Sequence, residues 1–165
     1  MTDAGLKELS GLKKLTTLSI ETDSGITDSG LKELAQLGGL TTLALSSKRL
    51  TGSGLKDIGG LKLTSLYLNA PVFTDAGLKS VGTFKTLTLF QLYNATGIKP
   101  TGLKELAGLE KLTSLDLSYC GITDAGLKEL VALKGLTSLT LTGTKVTAAG
   151  LKDFASAVPR CKVVK

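Results

Sequence analysis

The dipeptide Gly-Leu returns at a nearly fixed interval along the whole chain. Its leucine falls at Leu6, Leu31, Leu55, Leu78, Leu103, Leu127 and Leu151, at spacings of 25, 24, 23, 25, 24 and 24 residues. A period in the twenties with LxxLxL inside each cycle leaves few options. Each cycle supplies one strand and one return segment, and neighbouring cycles must stack to bury their leucines. Leu112 to Leu130, LTSLDLSYCGITDAGLKEL, holds one complete cycle: Leu112, Leu115 and Leu117 mark a strand, Cys120 a turn, and Thr123 the start of a short helix with Leu127 and Leu130 on its inner side. The predicted architecture is one α/β solenoid over residues 1–165, a horseshoe arc with a parallel sheet on the concave side and short helices on the convex side. Its units are 2–26, 27–50, 51–73, 74–98, 99–122, 123–146 and a partial 147–165.

Local chemistry agrees with that register. Thr2 reads as an N-cap and Asp3 as a charge suited to the positive end of the helix dipole, and both recur in later units. In the fifth unit Pro100 takes the aspartate position, as suits a first helical residue. Leu6 and Leu9 share an inner face while Lys7 and Glu8 point outward. The recurrent glycine predicts close packing of each helix against its neighbour. The middle units are irregular: the third is one residue short before its strand, and the fourth has Phe84 and Phe90 where others have leucine. Pro159 closes the last helix, and residues 161–164 make a final short strand.

Several function classes fall away on composition. The chain has no histidine, so the commonest general base and metal ligand is missing. The glycines form no phosphate-binding motif, and Asp3, Asp28, Asp75 and Asp124 recur as helix-starting charges. No catalytic residue, metal or cofactor is predicted. Cys120 and Cys161 lie two units apart, roughly 10 Å at about 4.8 Å per strand, beyond the reach of a disulfide at about 7 Å between Cα atoms. Both are expected to be reduced and mostly buried. No apolar run approaches the roughly 20 residues of a membrane span. The unpaired thiols and the lack of a secretory-type start favour the cytoplasm, although the chain begins inside a repeat, as a cut from a longer protein would. The exposed first unit leaves a homodimer open as an assembly.

Strand alternation sends one set of side chains to the concave surface. The outer units place small polar residues there, whereas Tyr67, Asn69, Leu89, Gln91, Tyr93 and Asp116 form a contiguous central patch. Tyrosine offers contact area and a hydroxyl at small entropy cost, so this patch is the candidate protein-binding site; tyrosines packing on a strand surface that suits them is the plain alternative. A second feature is electrostatic. The net charge is +6, and the helix-to-strand turns carry Lys13, Lys14, Lys62, Lys85, Lys111 and Lys134 against Glu110 alone, which concentrates positive charge along one edge. No lysine or arginine lies on these concave positions and no aromatic residue interleaves with the edge lysines, so stacking recognition of nucleic acid is not expected.

The segments TDAGLKELVALKGLTSLTLTGTKV and LTSLDLSYCGITDAGLKEL resemble the leucine-rich repeats of bacterial proteins of the T-D-x-G-L type, and are similar to the cysteine-containing subclass found after F-boxes in ubiquitin-ligase adaptors. The resemblance covers essentially the whole chain. It implies a horseshoe that recognises protein by its concave face or a flanking edge. One departure is visible: the turn position that holds Cys or Asn in the family reads Asp23, Lys48, Pro71, Ala95, Cys120 and Thr144, which argues against a continuous side-chain hydrogen-bond ladder there. The functional expectation is a non-catalytic protein or peptide interaction module; the alternative is a structural spacer with no binding site of its own.

Overall fold

A computed structural model describes residues 1–165. Seven parallel strands form one sheet in strict chain order: β1 (Thr17–Glu21), β2 (Thr42–Ser46), β3 (Ser65–Asn69), β4 (Leu89–Tyr93), β5 (Ser114–Asp116), β6 (Ser138–Thr140) and β7 (Lys162–Val164). The return segments are α1 (Asp3–Lys7), α2 (Asp75–Val81), α3 (Asp124–Glu129) and α4 (Ala148–Ala157), while the second, third and fifth units return through 3-10 helices, Asp28–Gln36, Ser53–Ile58 and Pro100–Leu106. In either helix type residues i and i+3 fall on one side. Leu31 and Leu34, Leu55 and Ile58, and Leu103 and Leu106 are therefore buried as pairs, as Leu127 and Leu130 are. The strand leucines meet them from the other side, and 43 buried apolar residues make one unbroken cluster along the arc.

Two side-chain systems tie each unit to the next. The first runs along the edge where the chain enters the sheet. Thr41, Thr64, Thr88, Thr113 and Thr137 each donate their hydroxyl to the carbonyl of the corresponding threonine one unit earlier, beginning at Thr16, over 3.0 to 3.2 Å. The same carbonyls accept two backbone N–H groups from the next unit, as Thr16 does from Thr41 and Thr42. Each carbonyl is thus saturated at the point where the irregular return becomes strand.

The second system replaces the expected threonine cap, adds a bond to the first-turn aspartate, and accounts for the close packing expected at the glycine. The recurrent aspartate reaches forward to the next unit. Asp28 accepts the Thr51 N–H (3.0 Å) and hydroxyl (2.6 Å) on one oxygen and the Gly54 N–H (2.9 Å) on the other. Asp3 accepts the Thr27 N–H on one oxygen and its hydroxyl on the other, Asp124 divides those of Thr147 likewise, and Asp75 accepts the Lys99 N–H at 2.9 Å. Thr27 spends its hydroxyl on this bond and caps no helix, whereas Thr51 and Thr147 donate theirs and also accept an N–H from the start of their own helix, from Ser53 at 3.4 Å and from Gly150 at 3.2 Å. The glycine of the motif is explained by the same carboxylate, because a methyl group on Gly30, Gly102 or Gly150 would overlap the preceding unit's aspartate.

Where the aspartate is absent the contact is rebuilt. The third unit has Gly52 in its place, at φ 85°, a left-handed backbone that favours glycine. The buried Phe73 ring lies against Gly52 and Gly77, where other units have the carboxylate. In the fifth unit Pro100 opens the helix as expected, and Gly126 of the next unit packs on Leu103.

Strand register keeps the turn alignment: continued past the strands, the pairing sets Asp23, Lys48, Pro71 and Ala95 level with Cys120. In the second and third turns the buried residue is the one before that position. Ser47, Ala70, Ala95 and Cys120 are all buried. Asp23 and Lys48 instead form an exposed ion pair at 2.8 Å. Both cysteines are free thiols, Cys120 buried and Cys161 half-buried. The Cys120 Sγ donates to the Leu92 carbonyl at 3.2 Å; burial foremost, with the charge of Asp116, pushes its pKa up to about 11, which suits an inert structural thiol.

Loss of the three bonds at Asp28, with a carboxylate as acceptor, costs about 2 kcal/mol. Asp28→Ala should therefore lower stability by that amount in urea melts, whereas Asp57→Ala on the exposed helix face should stay within about 0.5 kcal/mol of wild type. The forward bonds also carry an acid sensitivity. Desolvation is the largest single influence on Asp3 and raises its pKa, but the Thr27 hydroxyl and amide and the Ser29 hydroxyl together hold it below the ordinary 3.8. The Thr147 hydroxyl and amide do the same for Asp124. A depressed folded value means that this stabilisation is present above pH 3.8 and is lost as pH falls through the folded pKa values below it. Asp124→Asn should remove part of that acid-dependent loss in stability measured against pH.

Candidate functional site

The in-register sheet lays the concave side chains in three rows. One row runs Thr17, Thr42, Ser65, Leu89, Ser114, Ser138; the next Ser19, Ala44, Tyr67, Gln91, Asp116, Thr140; the third begins Glu21, Ser46, Asn69, Tyr93. The six residues of the predicted patch therefore lie on β3, β4 and β5 as neighbours. Tyr67, Leu89, Gln91 and Tyr93 are half-buried and Asn69 is exposed.

Asp116 differs from its expected open position, being only 8% exposed. The Tyr93 hydroxyl donates to its Oδ2 at 2.8 Å, and its Oδ1 accepts from the Ser118 N–H (2.9 Å) and hydroxyl (2.5 Å). Its role in the patch is to hold the Tyr93 ring in place, because its oxygens are already engaged. Burial first, then the hydrogen bond and charge of Asp116, raise the Tyr93 pKa to about 12. A second clamp sits beside it, where Asn94 donates its side-chain amide to Asn69 Oδ1 at 2.9 Å. Asn94 stands at φ 63°, a left-handed position that asparagine tolerates. It belongs to the extra residue of the fourth unit's turn, the one signal in the sequence that could have pointed to it.

The tyrosines do not form an isolated bump. Ser19 and Ala44 on the neighbouring strands are small, and the step down from Tyr67 leaves a hollow of about 180 Å³ lined by Ser19, Glu21, Ala44, Ser46, Tyr67, Asn69 and Tyr93 among others. A second depression of the turn edge adjoins it at Glu21, Ser46 and Asn69, and takes in Asp23, Lys48, Pro71 and Asn94. Sequence reading treated β1 and β2 as plain because their residues are small. Small size next to large is what makes the hollow, which lies toward the N-terminal half of the arc from the six predicted residues.

Tyr119, 55% exposed at φ 58°, lies against Gly143 beyond β5 and outside the hollow. The six lysines of the basic edge are all exposed, beside the N-terminal ends of the strands. Lys85 donates to the Gly108 carbonyl at 3.3 Å, and Arg160, which sequence reading passed over, continues the row next to Lys134. The edge and the hollow are on opposite ends of the strands, so they are separate electrostatic features. No helix of the structure is long and apolar enough to cross a membrane.

Residues 108–131 match the family model described as leucine-rich repeat. Among solved structures, an internalin C2 from Listeria monocytogenes is similar over 97% of this chain and 63% of its own, at 21% identity and a TM-score of 0.62. A second internalin of that bacterium, inlF, is similar over 96% of this chain and 56% of its own, at 17% identity and a TM-score of 0.52. This chain thus spans less than two thirds of either length. No curated protein matches it in sequence. One repeat of this chain thus matches the leucine-rich-repeat model, and the likeness to the two internalins is one of fold: a solenoid of stacked repeats with a parallel sheet.

The clamp on Tyr93 has a spectroscopic signature. In a Tyr67→Phe/Tyr119→Phe background, the tyrosinate absorbance should titrate with a midpoint near 12, and Asp116→Asn should move that midpoint downward. Because the folded value is raised above the ordinary 10.0, the contribution of Tyr93 to stability is present below pH 10 and is lost as pH rises toward 12.

Proposed function

We propose that this is a non-catalytic interaction module that holds a protein or peptide against its concave sheet, with Tyr67, Asn69, Gln91 and Tyr93 as contacts and Leu89 at the margin. The observation that carries the reading is the Tyr93–Asp116–Ser118 clamp beside a hollow. A half-exposed aromatic ring fixed by a satisfied carboxylate loses little freedom on binding, which is what an interface anchor requires. The recurrent aspartates, the other concentration of carboxylates, are engaged in joining units, and this favours a role outside catalysis. The basic edge is read as a solubilising surface, since its lysines lack interleaved aromatics. Self-association is assigned to the open side of β1, where Leu12 is 51% exposed.

A partner captured by the wild-type protein should bind the Tyr67→Ala/Tyr93→Ala variant more weakly by at least about 2 kcal/mol, the loss that marks hot-spot residues. Equal affinity of the two proteins in calorimetry would leave the spacer reading in possession. Light scattering of a Leu12→Asp variant tests the β1 assignment, which requires any dimer of the wild type to dissociate.

A further inference from the structure

The hollow has a chemical preference that follows from its charges. Across β1 to β6 the concave rows carry two carboxylates, Glu21 and Asp116, and no lysine or arginine; Lys162 on β7 is the first cation, at the far end of the arc. Asp116 is consumed by Tyr93 and Ser118. Glu21 is exposed and unpaired, since the one ion pair of the structure joins Lys48 to Asp23. The hollow therefore offers one free carboxylate at its rim beside two phenol rings.

Three physical arguments narrow the occupant. At about 180 Å³ the hollow is smaller than the roughly 300–1,000 Å³ of small-molecule sites, and it fits one long side chain. An apolar side chain would bury the Glu21 carboxylate without a partner, which is costly, and an anionic one would meet it with like charge. A cation is favoured twice, by Glu21 and by the two phenol rings that line the hollow, Tyr67 and Tyr93. The bond from Tyr93 to Asp116 adds to this, because a phenol donating to a carboxylate has a more electron-rich ring.

Resting on the concave-face reading, we propose that the hollow receives an arginine side chain from an extended segment of a partner protein, its guanidinium paired with Glu21 and stacked on Tyr67. Guanidinium is the cation whose planar fork can pair with a carboxylate and lie on an aromatic face at once. The free Asn69 side-chain N–H groups, left over because Asn94 bonds only its oxygen, would take a backbone carbonyl of the same segment.

The test is selection of a random linear peptide library on the wild-type chain, followed by affinity measurements with synthetic copies of the recovered peptides. Recovered peptides should share an arginine. Replacing it by glutamine, or making Glu21→Gln in the protein, should each weaken binding about tenfold, and the two changes together should weaken it little more than either alone. Glu21 is exposed, so Glu21→Gln leaves the fold intact. Peptides that lose affinity on Tyr67→Ala yet ignore both their own arginine and Glu21→Gln would overturn this inference and leave the concave-face reading standing. Peptides indifferent to Tyr67→Ala and Tyr93→Ala, or a selection that recovers none, would count against both.

Discussion

Every unit of this protein depends on hydrogen bonds made to it by the unit before. A 24-residue cycle is too short to bury its own leucines, so its fold exists only in the stack, and the stack is aligned by the threonine carbonyls at the strand entrance and the aspartates at the helix start. Both sets of bonds are made at the two corners where backbone leaves regular structure, which are the places where unsatisfied N–H and C=O groups would otherwise collect. The Asp–Thr–Gly combination is a single device. The carboxylate needs the next unit's threonine as donor and its glycine as space, which explains why the three residue types travel together in the repeat.

The alignment has a consequence for the surface. With every strand in register, a substitution in one unit is placed beside the same position in its neighbours, so the concave face is written as rows. Tyr67 next to Ala44 and Ser19 produces a step; Tyr93 beside Asp116 produces a clamp. The relief of the face arises from differences between units set on a backbone that barely varies. A spacer would gain nothing from relief, whereas a recognition surface consists of it.

The architecture was almost wholly legible in the sequence, because period and alternation are both consequences of burial and 43 buried apolar residues obey them. The polar bonds were less so. Thr and Asp before a helix read locally as cap and dipole partner, and their use across units is visible only when residues 24 apart are brought together. The same limit explains Asp116: its outward position on the strand was correct, but its burial depends on Tyr93 leaning over from β4. Ser19 and Ala44 went unremarked because a hollow is an absence of side chain, and no residue type signals it. The turn alignment follows the strand register, but which turn residue is buried was not legible: Ser47 and Ala70, one position before Lys48 and Pro71, are small and carry no signal.

The central claim is that the concave centre is the contact surface, and side-chain footprinting of the protein with and without its captured partner tests it most directly. The three tyrosines report on different surfaces under hydroxyl-radical oxidation, two in the hollow and one beyond it. Recognition through the hollow predicts that the partner protects Tyr67 and Tyr93 while Tyr119 stays reactive. Protection of Tyr119 with Tyr67 and Tyr93 unchanged would contradict it.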